Sequence, residues 1–437
     1  MTEATATTPH DQYMDDLAKA AANGQPDWFK TIRTAGRAAF EASTFPNTKM
    51  EEWRHTNISA IANTHYRPAA VAAGPGAADL ADLSLTAAGY HELVFVDGHF
   101  SEALSRPGNL PAGVSLGSLR NHLDSAALQA HLNQHARNRS AFTALNTANI
   151  GDGAFLHLAR NVALENPVHL LFITTVASAL AAAHIRSVIA LEESAEATVI
   201  TTYAGLDAQT NSLANVVEEV ALGPNTSLKY YKIVREGAAG NHLATTEVRQ
   251  DRDSRFFSLA ISQEGKVARN QQCIELAGPG AECALHGLYM NDGDRLIDNA
   301  INIHHTAPNC NSRIAYKGIL DGSSKSVFTG KVNVDRIAQQ TDSDQLSSNL
   351  LLSDTATVDT KPQLEIYADD VKCTHGATVG AHPEPIIFYF RSRGIDEPTA
   401  RGMLTYGFAD EIISEIGPEA LRQRQEAYVF KKYSPKQ

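Results

Sequence analysis

The sequence predicts a mainly β protein: a continuous strand-rich middle, leaning towards a parallel β-helix, between helical ends. Three observations predict it. Strand-length runs rich in β-branched or alternating residues recur from Gly151 to Gly380, at spacings of about 10–18 residues. No long amphipathic helix separates these runs, which excludes a βαβ sheet. Their turns rarely use the two-residue Asn-Gly type that antiparallel hairpins favour. Pattern alone leaves a sandwich or a barrel open, because no strict residue-level repeat is visible.

In chain order, residues 11–43 are alanine-rich, and Trp28, Ile32, Ala35 and Ala39 fall on one helical stripe, with Pro26 placed for a first turn. The stretch 74–85 reads as a loop, and 92–100 as a strand pair turning at Asp97-Gly98. Helical pieces are expected over 118–138 and 140–148. Residues 1–150 thus form a mainly helical N-terminal region, and 151–380 the β-helix core. The core strands include 169–175, 185–191, 197–203, 215–222, 227–234, 256–261, 299–305, 313–320, 331–335 and 363–367. Residues 381–437 return to helix, one piece starting at Glu397-Pro398 and another at Gly417-Pro418. Ala400, Met403, Leu404, Phe408, Ile412 and Ile413 give the first an apolar stripe that suits core burial or a docking face.

The chain of 437 residues carries 37 Lys and Arg against 49 Asp and Glu, a net charge of −12. That sign argues against nucleic acid as a partner. The longest apolar run, 170–183, is too short to span a bilayer. The opening MTEATATTPHDQYMDD has neither the basic start nor the apolar stretch of a targeting segment, so a cytoplasmic location is expected. Cys273, Cys283, Cys310 and Cys373 form no CxxC pair and read as free thiols in a reducing compartment.

Few local patterns carry chemistry. GVSLG (113–117) matches the G-x-S-x-G elbow around Ser115, but a loop precedes it where a core strand is required. No Walker loop is present, so ATP hydrolysis is expected only in a partner chain. NDGDR (291–295) lacks the rest of a calcium loop and reads as a turn. His304 and His305 are adjacent on a strand, hence on opposite faces. Cys373 and His375, two apart, share a face and could ligate one metal. Two ligands do not close a tetrahedral site, so the pair needs a second chain or is merely structural. Lys372 beside them is expected to lower the thiol pKa.

Five longer blocks, TKMEEWRHTNIS (48–59), AFTALNTAN (141–149), TAPNCNSRIAYKGIL (306–320), TKPQLEIYADDVKCTHGATVG (360–380) and FYFRSRGIDEPTARGMLTYGFADEI (388–412), carry a resemblance. Together they resemble the SufB/SufD scaffold family of the SUF iron–sulfur cluster assembly system, and KCTHGAT (372–378) is similar to the SufD branch. The resemblance implies a right-handed parallel β-helix core between helical regions, and a scaffold rather than an enzyme. It implies pairing with SufB through the β-helices, a SufC ATPase on the C-terminal helices, and a transient iron–sulfur cluster near the SufB–SufD interface. The family's functional histidine falls on His375, with Cys373 as a second candidate ligand. Arg393, Arg401, Met403 and Phe408 become candidates for ATPase docking. Reduced flavin is implied only for the assembled complex, since the chain has no dinucleotide fingerprint, and a homodimer of the isolated chain stays open. One departure is AHPEPII (381–387), which replaces an acidic stretch and puts any acidic role there in doubt. The competing readings are a β-helix carbohydrate enzyme working through paired carboxylates and a purely structural assembly protein.

Overall fold

The structure, a computed structural model, describes residues 8–19, 24–70, 74–136 and 140–434. From Ala154 to Gly380 the strands alternate between two sheets, and each pairs in parallel with the strand two further along the chain. That connectivity is a parallel β-helix, which settles the choice left open against a sandwich or barrel. In one sheet Val267–Leu276, Leu296–His305, Lys325–Val334 and Thr357–Ile366 stack in order. In the other, Glu282–Asn291, Asn311–Leu320, Thr341–Leu351 and Val371–Gly380 do the same. Residues stacked in successive turns lie 29 or 31 positions apart where Arg269 meets Asp298 and where Ser312 meets Ser343.

The corners explain why no residue-level repeat is visible. One column of corners is built by Asn225, Asp253, Gly280, Asn309 and Gln340, all at positive φ. Each donates its amide to a carbonyl of the following turn. The requirement is a residue that tolerates the left-handed region, and Asn, Asp and Gly meet it with little strain. Conformation repeats there while identity does not.

The interior is one large apolar cluster running the length of the solenoid, with polar groups set into it. Glu218, buried, accepts hydrogen bonds from Tyr203, Tyr230, Lys232 and Thr246. A buried carboxylate held by a cation and three hydroxyls meets the condition under which charge is tolerated inside a protein.

At the first turn the core is covered. The strand pair His91–Val96 and His99–Phe100 turns at Asp97 and Gly98 as expected. Helix Asp27–Glu41 packs on helix Ala141–Ala148, burying Phe29, Gly36 and Phe40. Of the stripe expected on Trp28, Ile32, Ala35 and Ala39, all but Ala35 pack half-buried against the core clusters, while full burial falls one residue later. A Cβ on Gly36 would lie 2.5 Å from the Ala148 amide nitrogen, so backbone contact at this glycine sets the helix rotation. The piece expected over 118–138 is the short turn Leu119–His122 and helix Ala126–His131, capped by Ser125; residues 20–23 and 137–138 of the expected helices lie outside the described residues. The 74–85 loop contains one 3-10 turn, Ala77–Leu80.

Beyond Gly380 the chain forms helices Glu384–Ser392, Glu397–Ile413 and Glu419–Tyr433. The last two lie on the outer face of the second sheet, where Ile412, Ile413, Leu421 and Val429 pack with Tyr231, Leu259, Leu288 and Ile319. Asp396 caps the middle helix through the Thr399 amide. Among the described residues no helix is long and apolar enough to cross a membrane.

Candidate functional site

The two ends of the β-helix differ. The first turn is covered, but among the described residues the last strands, Thr357–Ile366 and Val371–Gly380, each pair with a single neighbour and leave one edge open. Ile366, Tyr367 and Val379 are exposed there. Open edges and exposed apolar side chains at the end of a stack invite another chain.

Cys373 and His375 lie on this last strand. Cys373 is in register with Ser343 and His375 with Gln345. Ser343 and Gln345 are buried on the inner line of the preceding strand, so the alternation places Cys373 and His375 together on the inward line of the final turn. The shared face expected from their spacing is present. Cys373 is half-buried against the core, and His375, one step further along, is exposed.

The expectation for Lys372 fails. Burial, reinforced by the Asp342 carboxylate, pushes the Cys373 thiol up, while a hydrogen bond with the Ser343 backbone pulls it back less strongly. Lys372 stands in register with Asp342 on the outward line, and it is the Asp342 carboxylate, not the Lys372 ammonium, that acts on the sulfur. At neutral pH the group is a thiol, and a metal binding it must displace a proton. Alkylation of Cys373 in the isolated chain is accordingly expected to be slower at pH 7 than that of an exposed cysteine, with its half-maximal rate at higher pH. A half-maximal pH at or below that of free cysteine would contradict this environment.

Among the described residues no group of three or more His, Cys, Asp and Glu side chains is arranged to hold a metal ion. Cys373 and His375 supply two ligands on an open edge, and completion from a second chain is the arrangement their geometry permits.

The other patterns resolve plainly. His304 points outward to Asp335 at 3.0 Å, while His305 is buried with Nε2 2.9 Å from Ser312 Oγ and pushed down to about 4 by burial. Ser115 lies on strand Val114–Ser118, which pairs antiparallel with Ala154–Leu158, and no elbow is formed. Asp292 in the 291–295 turn binds Arg295 and Lys432. Cys310 is buried at a corner near the Gly278 carbonyl.

The C-terminal candidates divide. Met403 is exposed. Arg401 is held within the chain, bridging Glu397 and Glu384 at 2.9 and 3.0 Å. Phe408 packs inward with the Lys317 ammonium 4.4 Å from its ring centroid. Arg393 lies 5.1 Å from the Tyr389 ring. Ala400, Ile412 and Ile413 are buried, so most of the expected stripe serves the core. Sequence reasoning missed Phe388 and Tyr389, which are 72% and 57% exposed on helix Glu384–Ser392 beside exposed Ile386. The aromatic-rich string IIFYF was the available signal. His382, buried where the final strand meets this helix, pairs with Thr405 at 2.9 Å and ties the open end to the middle helix.

Residues 172–408 match the family model for the SUF system FeS cluster assembly SufBD core domain, and residues 7–170 that for the SufBD protein N-terminal region. An iron-sulfur cluster assembly SufBD family protein of Synechocystis is 30% identical over 97% of this chain and 96% of its own. The iron-sulfur cluster assembly protein SufD of Escherichia coli is 33% identical over 87% of each chain. The SufD of Bacillus subtilis is 25% identical over 66% of each.

Proposed function

Because the chain belongs to the SufBD family of the SUF iron–sulfur cluster assembly system, we propose that it acts as the SufD-type scaffold subunit, pairing through its open β-helix end with SufB. The observation that carries the reading is the last strand, where Cys373 and His375 stand on one inward line at an uncapped edge. A nascent cluster assembled there takes His375 as a nitrogen ligand and remaining ligands from the partner, since iron accepts both imidazole and thiolate. The cluster is cargo, formed and passed on. The chain itself needs no catalytic group for this; ATP hydrolysis belongs to a SufC subunit docked on the C-terminal helices, with exposed Met403, Phe388 and Tyr389 as contact residues. Arg401 contributes by tying the first two of those helices together, and Phe408 by holding the middle one to the sheet. For this chain we place that assembly in the cytoplasm, and any reduced flavin resides in the assembled complex.

The test is His375→Ala in complex co-expressed with SufB and SufC and purified anaerobically. An exposed histidine contributes little packing, so folding and complex formation should persist while iron and acid-labile sulfide fall about tenfold. Cys373→Ala should do less, because the partner can supply thiolate. Wild-type cluster content in an intact His375→Ala complex would defeat the assignment.

A further inference from the structure

One buried side chain near the open end is only half satisfied by the described residues around it. Gln345 is 1% exposed on strand Thr341–Leu351. Its Nε2 donates to the Gly330 carbonyl at 3.3 Å. That bond orients the carboxamide, since only the NH2 end can donate to a carbonyl, and leaves Oε1 as the free end. Among the described residues Oε1 has no hydrogen-bond partner, although it is buried.

The surroundings leave room for this carboxamide. Gly330 sits against it: a Cβ at position 330 would come within 2.6 Å of Gln345 Cδ. Any other residue there would push the amide off its place. The glycine does not adopt a positive φ, so space, not backbone conformation, is what it provides. Leaving a carbonyl oxygen buried and unpaired costs about 1–3 kcal/mol, which calls for a compensating role.

The neighbour in register on the final strand is His375. In-register residues of adjacent parallel strands stand about 4.8 Å apart with side chains on the same side, which brings an imidazole turned inward within reach of Oε1. We propose that Gln345 is a positioning residue for His375: its Oε1 accepts the ring N–H, fixing one tautomer and presenting the other nitrogen, with its lone pair, outward to iron. Metal-binding histidines generally donate their second nitrogen to such an acceptor, which sets the ring's orientation. Gly330 supports the arrangement by leaving room for the amide. The inference rests on the reading of His375 as a cluster ligand, and deepens it.

The experiment uses the full chain labelled with 15N-histidine, at about pH 8.5, above the ordinary histidine range. Long-range 1H–15N correlation reports the tautomer of each ring, and the signals lost in His375→Gln identify residue 375. The wild-type chain should show one dominant tautomer at His375. Gln345→Met, which keeps an unbranched side chain of similar length but removes the acceptor, should give a mixture. Gln345→Glu, which retains an acceptor oxygen, should restore the single form. Gly330→Ala displaces the amide without altering it and should reproduce the mixture, which keeps the test decisive if Gln345→Met fails to fold. In reconstituted complex, Gln345→Met should lower cluster content about tenfold.

An unchanged His375 tautomer in folded Gln345→Met and Gly330→Ala chains overturns the proposal, even if His375→Ala abolishes clusters. A shifted tautomer together with wild-type cluster content in His375→Ala leaves the pairing standing and sinks the ligand reading instead.

Discussion

Replacing Arg186 by methionine is expected to destabilise the chain by about 3–5 kcal/mol, the range seen when one partner of a buried ion pair is removed. Arg186 is fully buried where the N-terminal cap meets the solenoid. Its Nε and a terminal nitrogen reach Glu219 at 3.0 and 2.8 Å, and its remaining donors bind Asn146, Thr147 and Asn133. Glu219 is buried as well, and also accepts the backbone amides of Asn133, His135 and Ala136. Without the guanidinium the carboxylate keeps its amide donors but loses its counter-charge, and must take up a proton or draw in water. Urea unfolding of wild type and Arg186→Met measures the loss; a change below about 1 kcal/mol would mean that the amides suffice. Hydrogen exchange should rise first in 126–136 and 140–148, the segments this side chain pins to the sheet through Asn133, Asn146 and Thr147.

The double variant Tyr367→Asp, Val379→Asp should weaken pairing with SufB by about a hundredfold, or roughly 3 kcal/mol. Both side chains are exposed at the last turn, so the isolated chain should melt within a few degrees of wild type. In a paired interface the new carboxylates would be stripped of water with no designed counter-charge. Titration of the two purified subunits reads the affinity directly. Unchanged affinity would place the partner on another surface and remove the premise on which the shared cluster site is built.

Much of this architecture is legible in the residues, and the exceptions have physical causes. Many strands from 169 onward could be named because β-branched runs between turn residues identify strands wherever they pair, while Asn241–Gln250, Val267–Leu276, Glu282–Asn291 and Thr341–Leu351 went unnamed. How they pair was less visible, because a corner asks only for a tolerated backbone conformation, and the resemblance carried the β-helix assignment. Full burial falls one residue later than the helix stripe over 28–39 because apolar spacing ignores glycine: Gly36 buries no side chain, yet its closeness to Ala148 orients the helix. At the site, the i, i+2 spacing of Cys373 and His375 placed them correctly on one face. It could not say which face was inward, and so Lys372 was credited with an influence on the sulfur that belongs to Asp342. Gln345 escaped notice because an inward polar residue on a strand looks, in sequence, like an outward one.

The strand that bears Cys373 and His375 is held differently from those beneath it. An inner strand is gripped along both edges, and removing it would require both ladders to fail together. The last strand is bonded along one edge, from Val371 opposite Thr341 to Gly380 opposite Leu350, and continues almost at once into helix Glu384–Ser392. Tension applied through that helix is delivered to the strand's end, where it loads the final hydrogen bond, then the next, as a zipper opens. Breaking bonds singly takes far less force than shearing a ladder at once. Mechanically, then, the strand bearing Cys373 and His375 is, like Thr357–Ile366 of the other sheet, bonded along a single edge, and as the later of the two it can be peeled back and reseated while every lower turn stays intact.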